Sequence, residues 1–444
     1  MASMALHPGE PRYEQALSEL FNGNAAACNP QLVLQPRDVA EVVEAVQQAR
    51  RQRIPLMVRS GGHSRFCAAD GALMLDLAAH FTDITLHRDQ VTVGAGAGMG
   101  AILQHLAAAG RTLPVGTHAT PGFGLLCMGG LGHLSRSLGL TIDSIVALKG
   151  VRGDGSVFEV FEGCSDPIAW HWLRGAAPFL AVITEATLRT YPRQPLMVRR
   201  SLAAVETLAE HLQQAEGLSR QWSSSFVLGV PPDGSEPALM RYGVGAELDE
   251  SQCPVAGASG CLWTDRVPGL DAVPAFDLPA ADGGVPAADL PCRDRHQRPR
   301  TWIHAISVAA GQSEALAAVL TGAIGRLPNR YCRIDLQHIG GAVSDKPINS
   351  SAYRGRGAEW SVVVTGLWPA GDAAAELNAK AWSDGVFDAL EPISCHVYLV
   401  ERHPGTPRYG RQLQKAYGAD LMALRTLKQQ WDPDGVLPAL DQLP

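Results

Sequence analysis

The chain has 444 residues, 46% of them hydrophobic and 18% charged, enough to bury a large core and too many for one ordinary domain. A formal net charge of -7 lacks the basic excess of a nucleic-acid or membrane-surface binder, which leaves a small-molecule partner as the default. No charged segment leading into an apolar one opens the sequence, and no apolar stretch reaches the ~18 residues of a membrane span, so a soluble, cytoplasmic protein is expected.

In chain order, RDVAEVVEAVQQARRQ sets Val39, Val42, Val43 and Val46 at helical spacing behind Asp38, a residue type suited to cap the helix. A strand through Met57 follows, then the apolar runs ALMLDL and ITLHRDQVTVGAG read as strands joined by turns. AILQHLAAAG has a helical pattern ending at Gly110. A compact mixed unit closes with FLAVITEATLRTYP near residue 193. From about 250 to 300 the chain is rich in Pro, Ala, Gly and Asp and lacks periodicity, which predicts a long loop or lid without regular elements. Beyond it, EALAAVLTGAIGRL reads as a helix, WSVVVTGLW as a strand, and ADLMALRTLKQQWDPDGV as a final helix stopped by Asp432 and Pro433. The nine cysteines are scattered without a C-x-x-C pair, so neither a disulfide framework nor a zinc site is indicated.

Three glycine clusters have the composition of a phosphate cradle. GAGAGMG, at 94–100, follows a strand and precedes a helix, but it fits no G-x-G-x-x-G window and no acid lies about 20 residues on, so it reads as a structural turn. RSGGHS is different. Ser60, Gly61 and Gly62 allow several backbone N–H groups to converge on an anion, Arg59 carries charge, and the ring of His63 would border whatever the anion is attached to. The hexapeptide alone fits a tight turn with a capping histidine equally well. The third cluster, MGGLGHLSR, spans 128–136.

RSGGHS, the later GLTIDSIVALKGVRGDG, GGAVSDKPINSSAYRGRG and the carboxy-terminal AYGADLMALRTLKQQWDPDGVL together resemble the FAD-linked oxidoreductases of the vanillyl-alcohol oxidase/PCMH superfamily, in the berberine bridge enzyme-like branch. The resemblance implies a two-domain α+β protein, a PCMH-type FAD-binding fold with an antiparallel-sheet substrate domain. It divides the chain into an extension (1–29), an FAD-binding domain (30–193), a substrate domain (194–400) and a segment returning to the FAD domain (401–444). By the same resemblance the loop Arg59, Ser60, Gly61, Gly62, His63 and Ser64 wraps the FAD pyrophosphate, and His63 bonds the 8α carbon of the flavin. A neutral imidazole is a competent nucleophile for that bond.

Many branch members carry a second flavin link through a cysteine. In this chain that position falls on Thr117 or His118, within a stretch that also holds Gly122 and Gly124, and Cys127 comes too late, so no 6-S-cysteinyl link is expected and Cys127 reads as a small buried residue. Gly129, Gly130, Gly132, His133 and Leu134 match a family stretch that lines the cofactor, and Asp143, the backbone at Ile183, and Tyr417 fit further contacts. Asp420 replaces the family's asparagine and would set a carboxylate near the pyrimidine end of the flavin, which is unfavourable for an anionic reduced ring. AAPFLAVIT replaces a glycine-rich family segment. Where members place a tyrosine that acts as base or base partner, this chain reads Tyr398, Leu399, Val400 and Glu401. A carboxylate held in an apolar pocket there has its pKa raised toward neutrality and suits a general base, while the plain alternative is a surface glutamate beside Arg402. Ser361 stands where plant members carry a glutamate base; His396 and His403 read as structural.

The implied reaction is oxidation of a C–OH or C–N substrate (an alcohol, a sugar or a secondary metabolite) by hydride transfer to the flavin, with O2 as acceptor. A dehydrogenase using another acceptor and a flavin-bound protein without redox activity are the alternatives. No metal is implied.

Overall fold

The computed structural model describes residues 5–232, 234, 236–246, 262–278 and 294–440. The helix Val39–Gln52 turns Val42, Ala45, Val46 and Ala49 inward, and Asp38 caps it by accepting the Glu41 N–H at 2.9 Å. It delivers the chain to the strand Leu56–Arg59, which runs parallel to Leu73–Asp76 in a four-stranded sheet completed by Leu32–Leu34 and Ala5–Leu6. Leu56, Leu73 and Leu75 are fully buried, as expected of parallel strands covered on both faces.

A second sheet orders Ile84–His87, Gln90–Gly94, Ala181–Arg189, Ile145–Arg152 and Val157–Phe161, all antiparallel. The turn after Gln90–Gly94 is structural, as read from the sequence: a Cβ on Gly94 or Gly96 would strike the backbone at Phe81 or Leu77. The helix Met99–Ala108 follows, and Gly110 ends the turn beyond it at φ 67°. The helix Pro167–Leu180 breaks at Arg174 and Gly175, before Pro178, whose ring cannot continue the hydrogen-bond ladder.

The third sheet has eight antiparallel strands in the order Leu262–Val267, Leu196–Ala203, Ala238–Ala246, Trp222–Gly229, Arg333–His338, Trp360–Trp368, Arg300–Val308 and Ser394–Val397. Its two faces differ. On one, Trp360 donates to Glu216, Ser383 bonds the Val364 carbonyl, and His304 packs on Phe387, so the helices Leu208–Glu216 and Ala373–Leu390 cover it. The other carries the cross-strand row Gln337, Ser361, Ser307 and His396 and Tyr242, against which the ring of His133 stacks at 5.1 Å. Mixed elements and antiparallel sheets in this arrangement make the two-domain α+β architecture expected from the sequence.

The loop predicted for 250–300 is corrected in one part. Leu262–Val267 is a strand, paired along Leu196–Ser201, and short 3-10 turns form at Leu270–Ala272 and Arg295–Gln297. The parts of that prediction at 250–261 and 279–293 lie outside the described residues.

Arg136, buried at the edge of the first part of the chain, reaches across to the third sheet. It donates to the carbonyls of Trp222 (2.9 Å), Ile339 (2.7 Å) and Leu218 (3.0 Å) and pairs with Glu359. The far end of the chain returns to the first sheet: the Leu56 N–H donates to the Val436 carbonyl at 2.8 Å, and Arg50 pairs with Asp434 at 2.6 Å.

Candidate functional site

The strand Leu56–Arg59 ends in the loop of Ser60 to Ser64, and two glycines press that loop against a second one. The Ser60 hydroxyl donates to the Ala95 carbonyl at 2.5 Å and accepts the Phe123 N–H at 2.8 Å. A Cβ on Gly61 would strike Gly122 and Pro121, and a Cβ on Gly122 would strike the Ser60 hydroxyl. Gly62 lies at φ 74°, where a side chain is strained. Gly124 faces open space. Two stretches of bare backbone therefore meet at the floor of a cleft, which is the arrangement an anion needs for close approach to N–H groups.

That cleft, with about 1220 Å³ of empty space, is walled by Ser60 to Ser64, Gly122 to Leu125, Ala181 to Ile183, Val400 to Arg402 and Pro438. It collects Ser60, Gly61, Gly62, His63, Ser64, Gly122, Gly124, Ile183 and Glu401 from four separate parts of the chain.

His63 is half-buried, with one face open to the cleft. Its ring stacks on Phe21 at 4.0 Å, and Nε2 meets the Thr120 hydroxyl at 2.5 Å. Burial, and then the neighbouring His118, lower its pKa to about 3, so the imidazole is neutral at physiological pH. Glu401 faces the same cleft. Burial raises its carboxyl to about 7, with Arg402 and Arg65 pulling the other way. Arg402 lies beside it, its guanidinium over the rings of Phe66 (4.3 Å) and Phe179 (4.9 Å).

Other residues read from the sequence as cofactor contacts are placed elsewhere. Arg59 turns its guanidinium to Asp76 (3.2 Å) and Glu19 (3.3 Å), so its charge is neutralised away from the cradle. Gly129, Gly130 and Gly132 are filled from the protein side: a Cβ on each would meet Tyr398, Thr141 and the Val115 carbonyl respectively, and the Gly130 N–H donates to the Tyr398 hydroxyl at 3.0 Å. His133 is buried against Tyr242 and Phe276, and Leu134 borders a separate small pocket with Leu138 and Tyr191. Asp143 receives both arms of Arg356 at 2.7 Å, a buried fork-to-fork pair that consumes its carboxylate. Tyr417 is buried, its hydroxyl on the Gly175 carbonyl at 3.1 Å. Asp420 lies at the surface, paired with Arg354 rather than beside the cleft. Thr117 and His118 sit on the bend before Thr120, outside the cleft wall.

Cys127 does line the cleft, fully buried, with burial pushing its thiol up to about 12; a protonated thiol is a poor nucleophile. His396 is buried beside Tyr353 at 4.9 Å, and His403 stacks on Trp302 at 3.6 Å and bonds the Ile303 carbonyl, which accounts for both structurally. Arg402, Phe66 and Pro178 line the cleft without having been read from the sequence. The one signal for Arg402 was a cation next to Glu401 at the end of an apolar run.

Among the described residues, no group of three or more His, Cys, Asp or Glu side chains is arranged to hold a metal, and no helix is long and apolar enough to cross a membrane.

A model of the FAD binding domain matches residues 30–160. An FAD-linked oxidoreductase of Dictyostelium discoideum is 22% identical over 439 residues, covering 96% of this chain and 91% of the relative. The (R)-6-hydroxynicotine oxidase of Paenarthrobacter nicotinovorans is 28% identical over 220 residues, 48% of this chain and 46% of the relative. The solved structure of Physcomitrella patens BBE-like 1 covers 100% of this chain and 97% of its own at a TM-score of 0.81 and 20% identity, a likeness of fold.

The bare-backbone floor fits a dinucleotide's pyrophosphate, and with the matched domain it defines an FAD-dependent oxidoreductase. Over its whole length the chain is similar in fold to a berberine bridge enzyme-like protein, and residues 30–160 carry the FAD binding domain.

Proposed function

We propose that the chain is an oxidase that converts a C–OH or C–N substrate (an alcohol, a sugar or a secondary-metabolite alcohol or amine) to its carbonyl or imine. The observation that carries this reading is the meeting of His63 and Glu401 in one cleft with opposite pKa displacements. Burial disfavours the charged form of each, which leaves His63 a neutral imidazole and Glu401 a carboxyl basic enough to take a proton near neutral pH. FAD, when bound, supplies the acceptor for the hydride and passes the electron pair to O2, which leaves as hydrogen peroxide.

Glu401 takes the substrate's O–H or N–H proton as the carbon beside it gives up hydride. A carboxyl titrating at about 7 is half ionised there and basic enough to accept that proton. His63 would be the residue that tethers the flavin. With Nε2 engaged by Thr120, Nδ1 would be the ring nitrogen available to it. The buried, protonated Cys127 supports a single covalent link. Ser60 and the backbone at Gly61, Gly62 and Gly122 would hold the pyrophosphate, and the apolar wall of Ala181 to Ile183 would keep water from the reacting carbon.

The position of Asp420 on Arg354, away from the cleft, removes one of the features that pointed toward a protein without redox activity. Anaerobic mixing with a panel of alcohols, sugars and amines, followed by admission of air, tests the proposal. Bleaching and rapid recolouring are expected. Slow recolouring selects a dehydrogenase; a perturbed spectrum that never bleaches selects the non-redox reading. On a denaturing gel, flavin fluorescence should follow the chain and vanish in His63→Ala; fluorescence that persists in that variant refutes the tether.

A further inference from the structure

Arg402 is 4% exposed and lines the cleft. Among the described residues it makes no ion pair with any carboxylate, and its Nε has no hydrogen-bond partner. Its guanidinium lies over the faces of Phe66 and Phe179, and the Glu401 carboxyl acts on it through space without pairing. Buried cations are normally paired, because an uncompensated charge in a low-dielectric site is costly, and a cation–π contact offsets only part of that cost. Glu401 is adjacent in sequence, yet no ion pair joins the two side chains. Every other arginine or lysine near the floor is committed elsewhere or absent from the wall: Arg59 to Asp76 and Glu19, Arg65 to the His403 ring at 3.2 Å. Among the described residues, Arg402 is thus the one arginine or lysine in the lining of the cleft.

We infer that Arg402 is an anion-binding residue of the cofactor cleft, its guanidinium pairing with a negative charge carried by the bound dinucleotide. That charge resides either on the pyrophosphate, present in both redox states, or on the pyrimidine end of the ring, where it develops on reduction. The inference rests on the cleft being the FAD site. It goes beyond the Glu401 and His63 roles by assigning the residue that compensates the ligand's charge, and it explains why a buried cation is kept over two rings with no carboxylate paired to it: the guanidinium's donors are left for an oxyanion.

The test uses the full chain with His63→Ala, so that flavin exchanges freely, with and without Arg402→Met, which keeps the stem's volume and drops the charge. FAD, ADP and riboflavin are titrated against each, and the midpoint potential of the FAD-loaded protein is measured. If the pyrophosphate is the partner, Arg402→Met weakens FAD and ADP by about tenfold or more, as for loss of a charged hydrogen bond, and leaves riboflavin unchanged. If the ring is the partner, ADP is unaffected and the potential falls by ~30 mV for each tenfold loss of preference for the reduced form. Unchanged FAD and ADP affinity together with an unchanged potential overturns the inference. Arg402→Lys, which keeps charge, should recover most of the loss; equal losses in Lys and Met variants would mean packing between the rings is what matters, and the inference fails. Should Arg402→Met not fold, Arg402→Gln is read in the same way. A parent chain that binds no FAD at all fails the cofactor reading first, whereas an FAD-loaded chain indifferent to Arg402 fails only this one.

Discussion

Replacing Glu401 by glutamine isolates one carboxyl whose ionisation the fold opposes. Burial raises it from 4.5 to about 7, and at 1.36 kcal/mol per pH unit that displacement is worth ~3 kcal/mol. The folded chain holds this proton more tightly than the unfolded one. Below pH 4.5 the carboxyl is protonated in both states and the displacement costs nothing; as pH rises through 7 the folded state loses up to ~3 kcal/mol relative to a chain without the group. Glu401→Gln, neutral throughout, should therefore match the parent near pH 4.5 and gain on it progressively, reaching a plateau above pH 8. Urea midpoints of parent and variant at several pH values between 4.5 and 8.5, with equal flavin loading, read the difference directly. In the same proteins, anaerobic flavin reduction by a bleaching substrate should rise through pH 7 in the parent and run ~10²-fold slower, without that limb, in the variant. A stability difference independent of pH would refute the buried, displaced carboxyl; an unchanged reduction rate would refute its role as base.

Three further substitutions probe the surroundings. Gly61→Ala drives a Cβ into Gly122 and Pro121 and should part the two floor loops, costing ~1–3 kcal/mol and lowering flavin content measured by the ratio of visible to ultraviolet absorbance. Asp143→Asn leaves Arg356 buried without its carboxylate; a loss of ~3–5 kcal/mol is expected from the urea midpoint, and a neutral result would mean the pair is not formed. Asp420→Asn breaks only the surface pair with Arg354, so less than ~1 kcal/mol and an unaltered flavin spectrum are expected, whereas a changed spectrum would return Asp420 to the cofactor.

Local chemistry made some elements legible. The valines behind Asp38 name a helix and its cap, and WSVVVTGLW shows the β-branched run of a buried strand; both signals are short-range. The strand Leu262–Val267 was hidden because its identity comes from pairing with Leu196–Ser201 rather than from its own composition, a tertiary override of weak local preference. At the site, His63 and Glu401 were legible because a motif and a position carry them. Arg59 and Asp143 were misplaced for a common reason: each carries a charge, and its partner stands far along the chain, Arg356 for Asp143 and Asp76 with Glu19 for Arg59. The glycines 129, 130 and 132 belong to the same lesson, since a missing side chain makes room for whatever arrives, here Tyr398, Thr141 and Val115.

The cleft's floor is made before residue 125, whereas Glu401, Arg402 and Pro438 on its wall come last, and the strand Leu56–Arg59 waits for the Val436 carbonyl to engage Leu56. A chain emerging from the ribosome at ~5–20 residues per second would therefore expose a half-built dinucleotide site for most of its synthesis. Capture of the flavin would therefore wait for the segment that carries Glu401, Arg402 and Pro438 to the wall.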